Sequence, residues 1–200
     1  MAPNDPYTAK AEKGDSETPA SQKFEELRSI VKECKFGLLV SRSKDGHLHS
    51  RAMSPASHQG LVFSFIANED SGKFDELEND ENVNISFSDS GSTDWASVAG
   101  KARVTKDEKT IKELWNPMIK SWFGDLKDGV RTGEPGDPRI AVIQVIPDEI
   151  RYWIKTRTSL GQTVEVLKGA ITGETAAPGN LRTISSAELE LARQVEGSKA

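Results

Sequence analysis

Apolar residues recur every three or four positions in the segment that begins near Ser21. At this spacing Phe24, Leu27, Ile30 and Val31 fall on one side of a helix. The pattern therefore predicts an amphipathic helix with one buried stripe. A serine such as Ser21 is a favourable residue for the N-cap of this helix.

The two ends of the chain lack such a pattern. Residues 1–20 contain Pro, Gly, Ser, Thr and charged residues, and Tyr7 is the one aromatic residue among them. Segments of this composition bury too little surface to offset the entropy lost on ordering, so we predict a disordered leader over 1–20. A Gly/Ala/Pro/Thr mixture returns after about residue 173. We therefore expect one domain over 21–173 and a flexible extension over 174–200, with a frayed helix over SSAELELARQVEG.

After the first helix, the hydrophobic pattern changes to that of short strands separated by turns. Asp45-Gly46 is a strong hairpin signal, and Val83, Ile85 and Phe87 alternate with polar residues as in a half-buried strand. Gly100 interrupts another apolar run, where we expect a bulge or a close backbone approach. The predicted strands cover residues 36–40, 47–55, 61–67, 82–89, 95–104, 140–146 and 149–155.

Short helices are predicted between these strands. One begins at Ser71, another is capped by Asp107 and runs to Trp115, and a helical turn follows over 118–123. A further helix is predicted over 160–168. Because two- and three-residue turns join neighbouring strands, the strands are antiparallel, which excludes a Rossmann-type sheet. At least six such strands with few helices indicate a mainly β fold, a closed or nearly closed barrel with peripheral helices.

Composition limits the class of protein but says little about the chemistry that the protein performs. Of 200 residues, 36% are hydrophobic, and no run approaches the ~18 apolar residues of a membrane span. The first residues carry no apolar segment of a secretory signal, and a net charge of −5 argues against a reader of nucleic-acid phosphates. Cys34 is the single cysteine, which excludes an intramolecular disulfide and favours a buried, inert thiol. We expect a cytoplasmic protein without membrane or nucleic-acid partners.

Arg51 and the Ser71-Gly72-Lys73 segment form the most informative group of polar residues. Arg51 lies on a predicted strand, and the neighbouring strand 61–67 leads into this segment at a helix start. Free N–H groups, a glycine, a hydroxyl and two cations are the elements of a phosphate clamp. The same residues are also explained by a serine N-cap beside a solvated lysine.

Trp115 and Trp122 precede a loop rich in Gly, Pro and Asp. Such loops lie on the surface and often line a site. Aromatic rings beside a phosphate clamp suit a planar heteroaromatic ligand. Ordinary packing in the core is the alternative explanation for these rings.

Three further observations do not indicate a metal site or a catalytic site. His47 and His49 share one face of a strand, but no third ligand is near in the sequence, so solvent-facing positions are favoured over a metal site. The acidic segment over 75–81 is typical of a solvated helix face. Neither a Gly-x-Ser-x-Gly nor a His-Glu-x-x-His motif is present.

In their order and spacing, the motifs from about Phe24 to Gly173 resemble the pyridoxamine 5'-phosphate oxidase-like split barrels. The resemblance is to the general stress protein 26-like branch, whose fungal-type members share the polar leader and the Gly-rich extension. The ordered set is far more specific than any single motif in it. The motifs are FGLLVSRSKDGHLHSRAMSP, FSFIANEDSGKFDEL, NVNISFSD, WASVAGKARV, IKELWNP, WFGD, GDPRIAVIQVIP and EIRYW.

The resemblance implies a six-stranded antiparallel split β-barrel that forms a homodimer, with FMN in a groove between the two barrels. It also assigns positions of this chain to the cofactor. These are the phosphate-binding Arg51, Ser71 and Lys73; backbone along the ribityl chain and ring at Ala52, Met53, Phe65 and Ile66; aromatic walls from the second subunit at Trp115, Trp122 and Phe123; and a dimer-side strand at Ser97 and Gly100.

The implied activity is that of a flavin-dependent oxidoreductase or reductase acting on a small molecule, with NAD(P)H as a candidate electron donor. True pyridoxamine phosphate oxidases carry an Arg-x-His-type signature near the C-terminus. No histidine follows His58 here, so that activity is not expected, and no catalytic residue is evident. A non-catalytic flavin buffer or stress-linked sensor is the competing hypothesis, and haem or cofactor F420 binding in a related split barrel is a third.

Overall fold

The computed structural model describes residues 5–156, 171 and 175–197. Within these ranges, one antiparallel sheet is accompanied by six helices and one 3-10 turn. Its strands are β1 Gly37–Arg42, β2 Leu48–Met53, β3 Phe63–Asn68, β4 Asn82–Ser88, β5 Trp95–Thr105, β6 Ile140–Lys155 and β7 Gly179–Ile184. The helices are α1 Pro6–Ala11, α2 Ala20–Cys34, α3 Lys73–Asn79, α4 Glu108–Leu114, α5 Pro117–Phe123 and α6 Ser186–Gly197.

The sheet curls into a barrel that stays split between two edge strands. The order is β2-β1-β4-β5-β6-β3, and β7 also pairs with β6. Beyond Pro55, the Ala56 N–H donates to the Ser64 carbonyl on β3 at 2.8 Å, and Ser57 forms an isolated bridge with Ser64. The two edges therefore meet without a regular ladder. The mainly β split barrel with peripheral helices is confirmed, but the described residues contain seven strands instead of the expected six.

Strand β6 holds the barrel together because three strands pair with it. β5 pairs along most of its length, β3 pairs with its first half and β7 with its second half. The sequence predicted two strands here, separated by Pro147. They are continuous because Pro147 lies opposite Gly100, where the register shifts, and a bulge tolerates a residue that lacks an N–H. The bulge predicted at Gly100 is thus confirmed.

The predicted hairpin turn and helix stripe are also confirmed. Gly46 adopts φ of 89°, which a glycine in the β1–β2 turn accommodates without steric cost. α2 buries Leu27 and Ile30 against the inner face of the sheet. The helix begins at Ala20 after Pro19, one residue before the expected cap. The buried side chains that strands contribute to this core include Leu39, Phe63, Phe65, Ile85, Phe87, Val98, Ile143, Ile150 and Tyr152.

Both ends of the chain that the structure describes pack onto the barrel, which differs from the predicted leader and extension. In α1 the Tyr7 ring stacks on Trp153 with 5.6 Å between centroids, and Ala11 is buried beside it. β7 extends the sheet, and α6 buries Leu189 and Ala192 in the core. Each segment supplies few apolar residues, and its partners lie on the distant β6. Local composition therefore could not reveal the packing.

A buried lysine joins these ends to the core. Lys23 on α2 is 4% exposed; its Nζ donates to the Thr183 carbonyl at 2.8 Å and pairs with Asp15 at 3.3 Å and Glu188 at 3.1 Å. Glu188 also accepts from the Ser185 N–H at 2.8 Å, as a capping box requires. Four separate segments of the chain therefore meet at one ammonium group.

Two other sequence predictions concern helices. Asp107 caps α4 by accepting from the Thr110 N–H at 2.8 Å, as predicted. The helix predicted over 160–168 lies outside the described residues. Among the helices that the structure does describe, none has the length and apolarity needed to cross a bilayer.

Candidate functional site

Arg51 lies on β2 directly opposite Leu39 of β1, whose side chain points into the core. Residues opposite each other on paired strands share one face of the sheet, so Arg51 also points inward, toward α3. Its Nη1 donates to Ser41 Oγ and its Nη2 to Glu76 Oε2, both at 2.6 Å. The guanidinium is therefore held at two points and remains 23% exposed.

Glu76 is the common acceptor of this cluster. Its carboxylate accepts hydrogen bonds from Arg51 and from the Ser41 hydroxyl, and its Oε1 lies 2.5 Å from His49 Nδ1. Burial by itself raises the pKa of Glu76, but the hydrogen bonds of His49, Ser41 and Arg51 outweigh it and lower the pKa to about 2. Glu76 is therefore ionised at neutral pH.

Ser71 and Lys73 lie at the start of α3, beside this cluster. Lys73 Nζ donates to Ser71 Oγ, and Ser71 Oγ donates to the Asn68 carbonyl at 2.7 Å. Burial lowers the pKa of Lys73, and the charge of Arg51 lowers it further. Within the described part of the chain, Lys73 forms no ion pair. The structure thus brings the predicted residues Arg51, Ser71 and Lys73 together, with two cations near each other.

The alternative explanation of Ser71 as an N-cap does not match the geometry. The N-cap of α3 is Gly72, and no side chain hydrogen-bonds to the first turn of this seven-residue helix. The Ser71 hydroxyl closes the turn after β3 and accepts from Lys73. Lys73 is half-buried, with its Nζ 5.5 Å from the Phe74 ring, so it is not simply a solvated side chain.

The sequence analysis missed Ser41, His49 and Glu76 as members of this cluster. Ser41 is a polar residue at an inward position of an apolar strand, and His49 lies opposite it. Glu76 follows Lys73 by three positions, which places both on one side of a helix. The acidic segment over 75–81 was interpreted as a solvated face. The strand and helix periods place Ser41 at an inward position and Glu76 on the helix face of Lys73, but the contact between Glu76 and Arg51 depends on tertiary packing.

The predicted aromatic residues divide between the core and the surface. Phe123 is buried against Ile140 in a second apolar cluster, and Trp115 is half-buried on that cluster with its Nε1 donating to the Gly133 carbonyl at 3.2 Å. Trp122, on α5, is 86% exposed. Of these three aromatic side chains, Trp122 is the one that presents a broad free surface.

A buried ion pair fixes the loop that follows α5. The Arg139 and Asp137 side chains are 8% and 0% exposed, and their Nη2 and Oδ2 atoms lie 2.6 Å apart. Arg139 also donates to the carbonyls of Phe123 and Gly124 at 2.9 Å. The Gly133 N–H donates to Asp137 at 2.7 Å. The loop predicted to lie on the surface is thus tied at both ends to the helix that carries Trp122.

The hydrogen bond from Arg139 is the main reason why the pKa of Asp137 falls, to about 2. Sequence analysis did not single out this pair. The sequence feature that could have indicated the ion pair is the pair of opposite charges on either side of Pro138, immediately before the buried strand β6.

The remaining residues of the predicted ribityl and ring segments lie on two different strands. On β2, Ala52 is exposed and Met53 half-buried. On β3, Phe65 is fully buried in the main core, whereas Ile66 is half-buried on the opposite face and packs against the second apolar cluster. Phe65 therefore has only its backbone to offer a ligand.

Ser97 and Gly100 lie on β5, the strand that the resemblance predicts to approach the cofactor from the dimer side. Ser97 Oγ accepts from Asn84 Nδ2 at 2.8 Å. A Cβ atom at Gly100 would lie 2.3 Å from the Ile146 carbonyl oxygen. Close contact with β6 is thus sufficient to explain the glycine at this position.

The other candidates from the sequence show no metal geometry. His47 lies 3.5 Å from Asp45 at the exposed hairpin. Cys34 is half-buried at the end of α2, and burial raises the pKa of its thiol. Across the described ranges, no three or more His, Cys, Asp or Glu side chains are grouped as a metal ion would require.

Comparison with known proteins places these features in a family context. The family model described as "Pyridoxamine 5'-phosphate oxidase like" matches residues 22–177. Protein bli-3 of Neurospora crassa is 42% identical over 191 residues, covering 94% of this chain and 90% of that protein. General stress protein 26 of Bacillus subtilis is 28% identical over 130 residues, covering 64% and 85%.

Solved structures agree with this comparison. The crystal structure of General Stress Protein 26 from Bacillus anthracis str. Sterne matches with a TM-score of 0.54 at 26% identity, covering 64% of this chain and 91% of that one. The family match over residues 22–177 includes the cluster around Glu76, the exposed Trp122 and the ion pair of Asp137 and Arg139.

Proposed function

This chain belongs to the pyridoxamine 5'-phosphate oxidase-like family, and on that premise we propose that it is an FMN-binding flavoprotein that acts as an oxidoreductase. The observation that carries the proposal is the pair of neighbouring cations, Arg51 and Lys73. Lys73 is half-buried, and its only hydrogen bond in the described residues is to the Ser71 hydroxyl. A half-buried ammonium that contacts no carboxylate has lost part of its hydration, and a bound anion offsets that cost.

The donors available at this cluster fit a phosphate monoester. A guanidinium has five N–H groups, and Arg51 uses two of them on Ser41 and Glu76. Three therefore remain for phosphate oxygens, together with the ammonium of Lys73, whereas the Ser71 hydroxyl already donates its proton to the Asn68 carbonyl. The two cations outnumber the single Glu76 carboxylate, so the local charge favours an anion although the whole chain carries −5.

We place the flavin ring against aromatic surface from a second subunit. A side chain as large as Trp122 is seldom 86% exposed in a finished assembly, and a homodimer would cover it. On the sheet, Leu38 and Trp95 are 43% and 37% exposed and lie on the outward face. FMN supplies the electron-transfer chemistry when bound, and the chain binds its phosphate and shields its ring from water. We assign the protein to the cytoplasm, a reducing compartment that suits its single cysteine.

A non-catalytic flavin-binding protein is the second candidate, and one observation favours it. His49, the imidazole at the cluster, already pairs with Glu76, and the other charged groups there are cations. The cluster therefore offers anion binding but no free general acid or base. An enzyme would use NAD(P)H or another donor to reduce the flavin and pass the electrons to a small molecule, whereas a buffer or sensor would only hold it.

The binding proposal is tested by titrating the purified protein with FMN and following the quenching of flavin fluorescence. We expect Arg51→Ala and Lys73→Ala each to weaken FMN binding by about ten- to a hundredfold, the loss of one charge-assisted hydrogen bond. Lys112→Ala, which removes an exposed lysine from α4, is the matched control and should bind like the wild type. A wild-type protein that ignores FMN at high micromolar concentration would overturn the proposal.

The FMN-loaded protein also distinguishes the two candidates. Stopped-flow mixing with NADH or NADPH should bleach the flavin absorbance, and a small-molecule acceptor should restore it over repeated cycles. A bound flavin that resists both donors and turns over no acceptor would leave the buffer or sensor as the function.

A further inference from the structure

We propose that Glu76 is a positioning residue of the phosphate clamp: it holds the Arg51 guanidinium in the orientation that binds the phosphate. The inference rests on the proposed function, because it assigns a role within the FMN phosphate site. Neither the sequence pattern nor the family match assigns a role to Glu76.

Arg51, Ser41 and Glu76 form a closed triangle of hydrogen bonds. The guanidinium donates to Ser41 Oγ and to Glu76 Oε2, and the Ser41 hydroxyl donates its own proton to the same carboxylate. Ser41 is 1% exposed and is paired with His49 of β2, so it has little room to move aside. A guanidinium whose Nη1 and Nη2 atoms are both hydrogen-bonded has lost most of its rotamer freedom before any ligand binds.

Helix α3 links this triangle to the second cation. Lys73 and Glu76 are three positions apart on one helix, so a single turn carries both the lysine and the carboxylate that orients the arginine. Phe74 and Leu77 bury the same helix in the main core. The separation between the two cations is therefore set by packed secondary structure rather than by two independent flexible side chains.

Two physical roles for Glu76 predict opposite results. If its charge alone mattered, removing the carboxylate would strengthen phosphate binding, because a negative charge near the phosphate repels it. If it orients Arg51, removal frees a long side chain that binding must then order again. Ordering such a rotamer-rich side chain lowers the affinity for the phosphate.

The experiment compares FMN with riboflavin, which lacks the phosphate. We expect Glu76→Ala, which removes the acceptor as well as the charge, to weaken FMN binding by about three- to tenfold and to leave riboflavin binding unchanged. Glu78→Ala makes the same change at an exposed position of the same helix and should alter neither affinity. Circular dichroism and the unfolding midpoint of each variant report whether the fold is retained.

A double-mutant cycle separates positioning from general damage to the helix. In an Arg51→Ala background, Glu76→Ala should cost no further FMN affinity, because there is no guanidinium left to orient. A loss that simply adds to that of Arg51→Ala would overturn the inference, and so would tighter FMN binding by Glu76→Ala. If the wild type binds neither FMN nor riboflavin, the proposed function itself fails, which is a different outcome.

Discussion

At the scale of single residues, two arginines of this protein are held by buried or nearly buried carboxylates. Glu76 orients Arg51 at the candidate site, and Asp137 binds Arg139 beneath the loop that follows α5. Removing one member of a buried pair leaves the other charge without compensation, which costs far more than the pair contributes when intact.

The Asp137 pair gives a prediction about acid stability. Folding lowers the Asp137 pKa from its ordinary 3.8 to about 2, so protonation favours the unfolded chain. This contribution, about 2 kcal/mol, is fully present above pH ~4 and is lost as the pH falls toward ~2. We expect Asp137→Asn to lower the unfolding free energy at pH 7 by about 3 kcal/mol. Its deficit relative to the wild type should shrink between pH 4 and pH 2.

Urea unfolding at pH 7, 4 and 3 measures this deficit. Asp75→Asn, at an exposed position of α3, serves as the control and should track the wild type at every pH. A deficit for Asp137→Asn that stays the same at all three pH values would show that the carboxylate charge does not stabilise the loop.

Sequence patterns identified Arg51, Ser71 and Lys73 but not the residues that hold them. The strand and helix periods do indicate that Ser41 is a polar residue at a core position and that Glu76 follows Lys73 by one helical turn. What the periods lack is the packing of α3 against β1 and β2, which is a tertiary contact. A local pattern cannot show which charged side chain of an acidic segment turns inward.

At the scale of elements, the short helix α1 is the clearest difference from the sequence prediction. Its composition is that of a disordered leader, yet Tyr7 stacks on Trp153 and Ala11 is 1% exposed. The free energy that holds α1 in place comes from apolar surface on β6 and β7, more than 140 positions away. The hydrophobic content of the leader alone therefore underestimates how stably α1 packs. Strand β7 escaped prediction for the same reason.

Deletion of residues 2–13 decides between a docked and a disordered leader. We expect the deletion to lower the unfolding free energy by about 1–2 kcal/mol, because it removes the aromatic stacking and uncovers Trp153. Hydrogen exchange of the β7 amides should also accelerate. Tyr7→Phe keeps the stacked ring and should leave both quantities near their wild-type values. Unchanged stability and exchange after the deletion would support the disordered leader that composition predicts.

At the scale of the whole molecule, the fold class followed from the sequence while the pairing of the strands around β6 did not. Alternating apolar positions and Asp-Gly turns were sufficient to predict antiparallel strands. The pairing of β6 with three other strands depends on contacts across most of the chain, which no short window contains.

The apolar surface that remains exposed predicts assembly. A homodimer that covers Trp122 should have about twice the 21.9 kDa mass of the chain by light scattering. We expect Trp122→Glu to shift the mass toward the monomer and to weaken FMN binding, because a buried charge opposes association. Leu191→Glu, on the outer side of α6, is the matched control and should remain dimeric. A wild-type monomer that binds FMN tightly would contradict a site shared between subunits.

The position of β6 at the centre of the pairing has a consequence for the newly synthesised chain. The β1–β2 hairpin pairs residues that are close in the sequence. Phe63 of β3, in contrast, pairs with Val145, which is synthesised 82 positions later. While the ribosome is still short of β6, the apolar strand β3 has no partner among the strands already made. Contacts this distant slow folding, and an unpaired apolar strand invites association with other chains. Chaperone protection during synthesis is thus most needed between the emergence of β3 and that of β6.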